Sequence, residues 1–174
     1  KPLSTYVGNI GMDHEAYYHE RFPDIQDHFI ECIKAIRFLH ENGEKHGDIH
    51  SDHILIDQED GCYRWIDLDS NYRHRENIYG YDLFGLGNIL VFLVAREEVL
   101  VSELKRIRSP GFRSITEEDL NLVFSHQVVN LKKLYPSIPK SLNRVLMHFS
   151  RGAKWFYEST ALLLEDLGEF RDTH

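Results

Sequence analysis

One stretch, residues 46–69, constrains the fold of this chain more than any other and reads HGDIHSDHILIDQEDGCYRWIDLD. Its first half crowds carboxylates and imidazoles together and ends in an apolar Ile-Leu-Ile run. A polar turn and a second β-prone run, Tyr63 to Ile66, come next. Two such runs around a polar turn predict a β-hairpin. The hairpin would hold Asp48, His53 and Asp67 close together beside a rigid core, and this predicts a metal-assisted site.

Helical periodicity dominates the rest of the sequence. The clearest helix is predicted from Asp24 to Asn42, where apolar residues recur every three or four positions before a stop at Gly43. Four further helices are predicted to begin near Tyr79, Thr116, Pro139 and Ala161. The helix from Thr116 is expected to reach Leu134, with Asp119 as its capping-box partner. Residues 6–11 are expected to be an extended piece broken by glycines. The predicted class is mainly α with a small β-hairpin.

Composition excludes several classes of protein. A chain of 174 residues can bury one core, and 42% hydrophobic with 28% charged residues is ordinary for a globular protein. The net charge of −8 argues against a nucleic-acid partner or an anionic membrane surface. No apolar run approaches the length that spans a membrane. Cys32 and Cys62 do not make a disulfide scaffold, so we expect a reducing, cytoplasmic setting.

The stretch 46–69 resembles the catalytic core of the protein-kinase-like superfamily. The catalytic loop of that family reads His-Arg-Asp-x-x-x-x-Asn, and a strand and Asp-Phe-Gly come after it. Here His46-Gly47-Asp48 stands for the first tripeptide, His53 for the Asn, and Asp67-Leu68-Asp69 for the last tripeptide. With His50, the loop also resembles aminoglycoside and choline phosphotransferases, which use His-Gly-Asp-x-His-x-x-Asn.

The resemblance extends along the chain. The segment from Tyr79, with Asp82 and Gly87, resembles the start of the central helix of the kinase C-lobe. The tail from Phe156 to Leu167 resembles the closing segment of bacterial Ser/Thr protein kinases. The resemblance therefore implies a C-terminal lobe of the protein-kinase-like fold over residues 14–174. Residues 1–13 are then a candidate hinge or remnant of the N-lobe.

The resemblance also implies roles for the residues of the loop. Asp48 would be the catalytic residue that accepts the acceptor's hydroxyl proton or orients the hydroxyl, with His50 as a second catalytic candidate. His46 and Asp82 would support the loop structurally. The activity implied is the transfer of the γ-phosphoryl group of ATP to an acceptor, or regulation of a protein partner if catalysis is impaired.

The implied cofactors are ATP and Mg²⁺ or Mn²⁺. Asp67 would be the principal metal ligand and a cofactor-binding residue, with His53 as a second candidate in both roles and Asp69 as a further metal candidate. Imidazole is a poor partner for a hard ion that prefers oxygen ligands, so His53 fits this role less well than Asp67 does. Since no Gly-rich phosphate loop is present, we expect the N-lobe to come from upstream sequence.

The chain departs from the kinase pattern in ways that affect the acceptor. Gly47 replaces the Arg that binds a phosphorylated activation loop. Residues 70–81 alone separate the Asp67 motif from Asp82 and contain no Ala-Pro-Glu tripeptide. Phe156 stands where the Arg that pairs with that missing Glu would be. Without this segment the usual platform for a peptide substrate is absent, so a protein and a small molecule both stay open as acceptors.

Two other functions stay open. The first is a pseudokinase that uses the same fold as a binding or regulatory module. The second is a zinc metallohydrolase, because the clustered imidazoles and carboxylates suit zinc and His126 or His148 would complete a site. A basic group near the site, formed by Arg64, Arg73 and Arg75, would either meet phosphate or remain a solvated surface.

Overall fold

The chain is mainly helical. The structure, a computed structural model, describes residues 1–69 and 78–172, with side chains up to residue 169. Within these residues it has seven α-helices and one two-stranded sheet. The elements are α1 (Leu3–Gly8), α2 (His14–Glu20), α3 (Phe22–Glu41), β1 (Ile54–Ile56), β2 (Tyr63–Trp65), α4 (Gly80–Ala95), α5 (Val101–Arg106), α6 (Lys140–Met147) and α7 (Thr160–Asp172). The predicted class, mainly α with a small β-hairpin, is confirmed.

Helix α3 lies at the centre of the packing, against α2, α4, α7 and strand β2. It begins at Phe22, with Pro23 in its first turn, where the missing N–H of proline costs no hydrogen bond. It ends at Glu41, and Gly43 then takes a left-handed φ of 78°. The helix predicted from Asp24 to Asn42 is therefore confirmed. Its buried face supports the segment that leads into the loop of residues 46–53.

Helix α4 is apolar on nearly every side and packs against α3 and α6. Gly85 allows the close approach to the loop, since a Cβ atom there would lie 2.6 Å from the carbonyl oxygen of Ile49. Gly87 accommodates the ring of Phe149 in the same way. No helix in the described part of the chain is long and apolar enough to cross a membrane.

The two strands form the predicted hairpin. They are antiparallel, with Ile54 opposite Trp65 and Ile56 opposite Tyr63. The first residues of the chain extend this sheet edge, since Pro2 forms an isolated bridge with Leu55. The hairpin lies on α3, where the indole Nε1 of Trp65 donates to a backbone carbonyl at 3.0 Å. It leads directly from the loop to the segment that carries Asp67.

The extended conformation predicted for residues 6–11 is wrong over its first half, because Leu3–Gly8 is helical. Leu3 and Val7 lie one turn apart on the same face and are both completely buried in the common core. Burial of this pair explains why the segment is helical despite its glycine. The N-terminal residues therefore pack with the rest of the chain, and their role as a hinge stays a prediction.

The helix predicted from Thr116 to Leu134 is also wrong. The structure has two 3₁₀ turns there, Glu117–Asp119 and Leu131–Lys133, and the predicted capping box between Thr116 and Asp119 is present in the first. Beyond it the buried carboxylate of Asp119 accepts hydrogen bonds from Asn130 Nδ2 at 2.7 Å and Lys133 Nζ at 2.6 Å. These bonds fold the chain back on itself, so Leu131 reaches the core without a helix, whereas Val123 and Phe124 stay exposed.

Candidate functional site

The loop of residues 46–53 is anchored from below by Asp82 of helix α4. The Asp82 carboxylate is 1% exposed and accepts hydrogen bonds from the backbone N–H groups of His46 and Gly47, each at 2.8 Å. His40 of α3 completes the arrangement, with Nε2 2.9 Å from Asp82 Oδ2. Burial alone would raise the pKa of Asp82, but these three hydrogen bonds outweigh it and lower that pKa. The carboxylate is therefore charged and holds the start of the loop in place.

His46 is a buried structural residue at the base of the loop. Its ring is fully buried and stands edge-on to Trp65, with ring centroids 4.8 Å apart. Its Nδ1 accepts from the backbone N–H of Asp48 at 3.3 Å. Burial lowers the pKa of His46, although Asp82 opposes this. A neutral His46 therefore orients the backbone that precedes the Asp48 side chain.

The loop of residues 46–53 and the Asp67 segment cross directly. The backbone N–H of Asp69 donates to the carbonyl of His46 at 2.7 Å. Gly47 and Asp67 both have left-handed backbones, with φ of 81° and 56°. For a residue other than glycine this region is uncommon and is found most often at turns and functional sites. The crossing brings the two halves of the stretch into one site.

Four of the residues predicted for the site lie close together next to this crossing, namely Asp48, His50, His53 and Asp67. His53 Nδ1 lies 2.9 Å from the carbonyl oxygen of Asp48 and 3.4 Å from its Oδ2. His53 Nε2 lies 3.8 Å from Asp67 Oδ2. His50 Nε2 lies 3.8 Å from Asp48 Oδ1, and the rings of His50 and His53 have centroids 3.6 Å apart. The two carboxylates are therefore bridged by imidazoles, and Asp69 joins the site through its backbone.

The residues present can hold a divalent cation. Asp48 and Asp67 have side chains that are 50% and 70% exposed, so their oxygens are accessible to an ion. Among the described residues, one group of three offers ligand atoms within 4.8 Å of one another, namely Asp48, His50 and His53. Magnesium prefers oxygen ligands, so Asp67 fits the magnesium role better than His53 does.

An open cavity of about 900 Å³ begins at Asp48 and His50 and runs along helix α4. Apolar side chains line most of its length, among them Phe84, Phe92 and Phe124. Carboxylates, including those of Glu97 and Glu98, lie among the other lining residues. A volume of this order is typical of sites for small organic molecules.

Comparisons of the chain with protein-family models, curated proteins and solved structures found no match. Function is therefore argued from the site itself.

His126, His148 and Arg64 lie apart from the cluster. His126 lines the cavity beside helix α4, whereas the His148 ring packs on Trp155 with centroids 3.8 Å apart. Arg64 pairs with Asp57 and Asp60 at the hairpin turn, at 2.9 and 2.7 Å. Arg73 and Arg75 lie outside the described residues.

Sequence reasoning missed two residues that hold the site together. His40, which the sequence analysis did not single out, bonds the anchoring Asp82 and is only 8% exposed. Its position seven residues after Ile33, on the buried face of α3, is the signal that could have identified it. Ser4 of α1 donates a hydrogen bond to Asp52, and no local pattern indicates this contact. Both residues fix the loop from elements outside it.

Proposed function

We propose that this chain is the C-terminal lobe of a protein-kinase-like phosphotransferase, which transfers the γ-phosphoryl group of ATP to a hydroxyl group. The observation that carries the proposal is the anchoring of the loop by Asp82. In kinases the Asp of the central helix has this role, and here the Asp82 carboxylate binds the N–H groups of His46 and Gly47 at 2.8 Å. Neither a strand-rich hydrolase nor an unrelated helical bundle requires this contact.

Asp48 is the proposed catalytic residue. Its half-exposed carboxylate lines the cavity, where it can accept a hydrogen bond from an acceptor hydroxyl and take its proton. The neighbouring His53 donates from Nδ1 to the Asp48 carbonyl and so holds the backbone of this residue. His50, with Nε2 3.8 Å from Asp48 Oδ1, lies beside the same carboxylate. The Asp48 carboxylate would therefore orient the reacting hydroxyl at the end of the cavity where Asp48 and His50 lie.

Asp67 is the proposed ligand for the metal that accompanies ATP. When bound, Mg²⁺ or Mn²⁺ supplies positive charge that neutralises the phosphate oxygens. Asp67 is 70% exposed at the crossing with the loop, and Asp69 follows on the same segment. The sequence has no Gly-rich phosphate loop, and none of its lysines is assigned the anchoring role of the kinase lysine. The proposal therefore includes an N-lobe that contributes the remaining nucleotide contacts.

The cavity favours a small-molecule acceptor over a peptide. It opens beside Asp48 and runs along α4. Its volume of about 900 Å³ suits a small organic molecule. The cytoplasmic location expected from the cysteine content stays a prediction.

A pseudokinase is the second candidate. The observation that favours it is the identity of the metal-ligand atoms. His53 offers a ring nitrogen where a kinase offers an amide oxygen to the second metal ion, and nitrogen suits magnesium poorly. The zinc metallohydrolase has less support. That class expects a strand-rich sandwich, whereas the described residues form a single two-stranded sheet and are mainly helical.

Calorimetric titration tests the proposal. ATP with Mg²⁺ or Mn²⁺ is titrated into the longest natural form of the chain and into its Asp67→Asn variant. Asp24→Asn is the matched control, because Asp24 is an exposed carboxylate in the first turn of α3. We expect metal-dependent ATP binding that Asp67→Asn abolishes and Asp24→Asn retains. Absence of nucleotide binding by the folded protein would contradict the proposal and favour the pseudokinase.

A further inference from the structure

Three side chains of one short loop form a compact set of metal ligands. Asp48, His50 and His53 offer ligand atoms that all lie within 4.8 Å of one another. We propose that they form a site for a zinc-class transition-metal ion, which binds without nucleotide and occupies the carboxylate of Asp48. The site itself does not depend on the proposed phosphotransferase activity. Its effect on phosphoryl transfer does depend on that activity.

The hydrogen bonding of His53 prepares it as a ligand. Its Nδ1 lies 2.9 Å from the carbonyl oxygen of Asp48, and a carbonyl only accepts, so Nδ1 carries the proton. In the neutral ring the lone pair is then on Nε2. Metal-binding histidines typically donate their other ring N–H to a backbone carbonyl or carboxylate in this way. His53 is 16% exposed, so its orientation is set before any ion arrives.

The separations within the cluster are slightly longer than those between ligands of one ion. Two atoms that each lie 2.0–2.2 Å from a tetrahedral ion are roughly 3.3–3.6 Å apart. His50 Nε2 and Asp48 Oδ1 are 3.8 Å apart, only slightly beyond this range. Asp48 and His50 are 50% and 47% exposed, so small rotations of their side chains can bring them onto an ion. Asp67 Oδ2, 3.8 Å from His53 Nε2, is available as a fourth ligand.

The donor set selects the class of ion. Two imidazole nitrogens with carboxylate oxygens suit Zn²⁺ and Co²⁺, whereas Mg²⁺ prefers oxygen ligands and retains several waters. An ion on Asp48 would occupy the oxygens that the acceptor hydroxyl needs. If the proposed transfer takes place, we therefore expect zinc-class ions to inhibit it at concentrations where magnesium supports it.

Cobalt titration tests the site directly. Co²⁺ is added to the untagged full chain without nucleotide, and the strong visible absorption of four- or five-coordinate cobalt is recorded. We expect this absorption to appear, to be lost when Zn²⁺ is added, and to persist in excess Mg²⁺. His50→Asn and His53→Asn should each weaken cobalt binding more than the roughly 10–100-fold that loss of a ligand's supporting partner costs.

The matched control is His126→Asn, because His126 lines the same cavity without belonging to the cluster. It should bind cobalt as the unmodified chain does. His50 is half-exposed, so its variant is expected to fold, and thermal unfolding of each variant verifies this. The proposal is overturned if the folded chain gives no cobalt absorption, if His50→Asn binds as tightly as His126→Asn, or if His126→Asn loses binding. If the chain binds neither cobalt nor zinc but still binds ATP in a metal-dependent way, this site is refuted and the proposed phosphotransferase function is retained.

Discussion

Gly47 and Asp69 are in direct backbone contact, so closely that a Cβ atom on Gly47 would overlap the carbonyl oxygen of Asp69. Gly47 also has a left-handed φ of 81°, which glycine adopts at little cost. The kinase pattern has Arg at this position. In this backbone an Arg side chain would be strained and would collide with the Asp67 segment. The glycine is therefore required by the crossing that assembles the site.

Gly47→Ala tests this crossing. Gly43→Ala is the matched control, because Gly43 has a similar φ of 78° but no atom within 4 Å of an added Cβ. The backbone strain alone should cost each variant about 1–2 kcal/mol of unfolding free energy. Gly47→Ala should lose more, since the Asp69 carbonyl must also move. Urea unfolding measures both losses, and equal losses would show that the crossing is unimportant.

Asp82→Asn should destabilise the chain by at least about 1.5–3 kcal/mol, the usual contribution of a hydrogen bond to a charged group. The amide retains one acceptor oxygen, whereas the carboxylate bonds the N–H groups of His46 and Gly47 and the ring of His40. Chemical denaturation measures the loss. Asp67→Asn is the comparison, because Asp67 is 70% exposed and should leave the unfolding free energy nearly unchanged. Similar stability of the two variants would refute the anchoring role of Asp82.

Gly85→Ala should destabilise the protein although alanine favours helices. Its Cβ would lie 2.6 Å from the carbonyl oxygen of Ile49 and 2.7 Å from the Ile49 Cβ. Overpacking of this kind typically costs about 1–3 kcal/mol. Gly168→Ala, in helix α7, meets nothing within 4 Å and should instead stabilise by up to about 1 kcal/mol. Opposite shifts of the melting temperature are expected, and stabilisation by both changes would rule out the tight contact between α4 and the loop.

Acid should destabilise the fold through two buried carboxylates. Burial raises the pKa values of Asp82 and Asp119, but hydrogen bonds from His40 and from Lys133 respectively, with others, outweigh it and lower both. A lowered folded pKa stabilises the fold above the unfolded value of about 3.9. This stabilisation is lost as the pH falls from about 4 through the folded pKa.

Unfolding free energies between about pH 2 and about pH 6 measure this effect. Asp119→Asn should flatten the acid limb of the curve, because one of the two carboxylates no longer titrates. Asp24→Asn, in the exposed first turn of α3, should leave the limb unchanged. An acid limb of equal slope in Asp119→Asn would contradict the assignment.

Local sequence patterns predicted the elements that are specified by residues within the element itself. Helix α3 follows from the three- and four-residue spacing of its apolar side chains, and the hairpin follows from two β-prone runs around a polar turn. The capping box of Thr116 and Asp119 was also predictable from its spacing. The same spacing did not reveal that Asp119 also bonds Lys133. This contact folds the chain back, so the helix that the apolar residues suggested does not form.

The sequence by itself determined the mainly helical class, the hairpin and the identity of the polar residues in the stretch 46–69. Only the tertiary structure decided that His40 and Asp82, from two helices, hold that stretch from below. It also placed the backbone of Asp69 against His46 and Gly47. The physical reason is the range of the interactions. Periodicity and capping act within a few residues, whereas these contacts join segments far apart in the chain and form only when the shared core is packed.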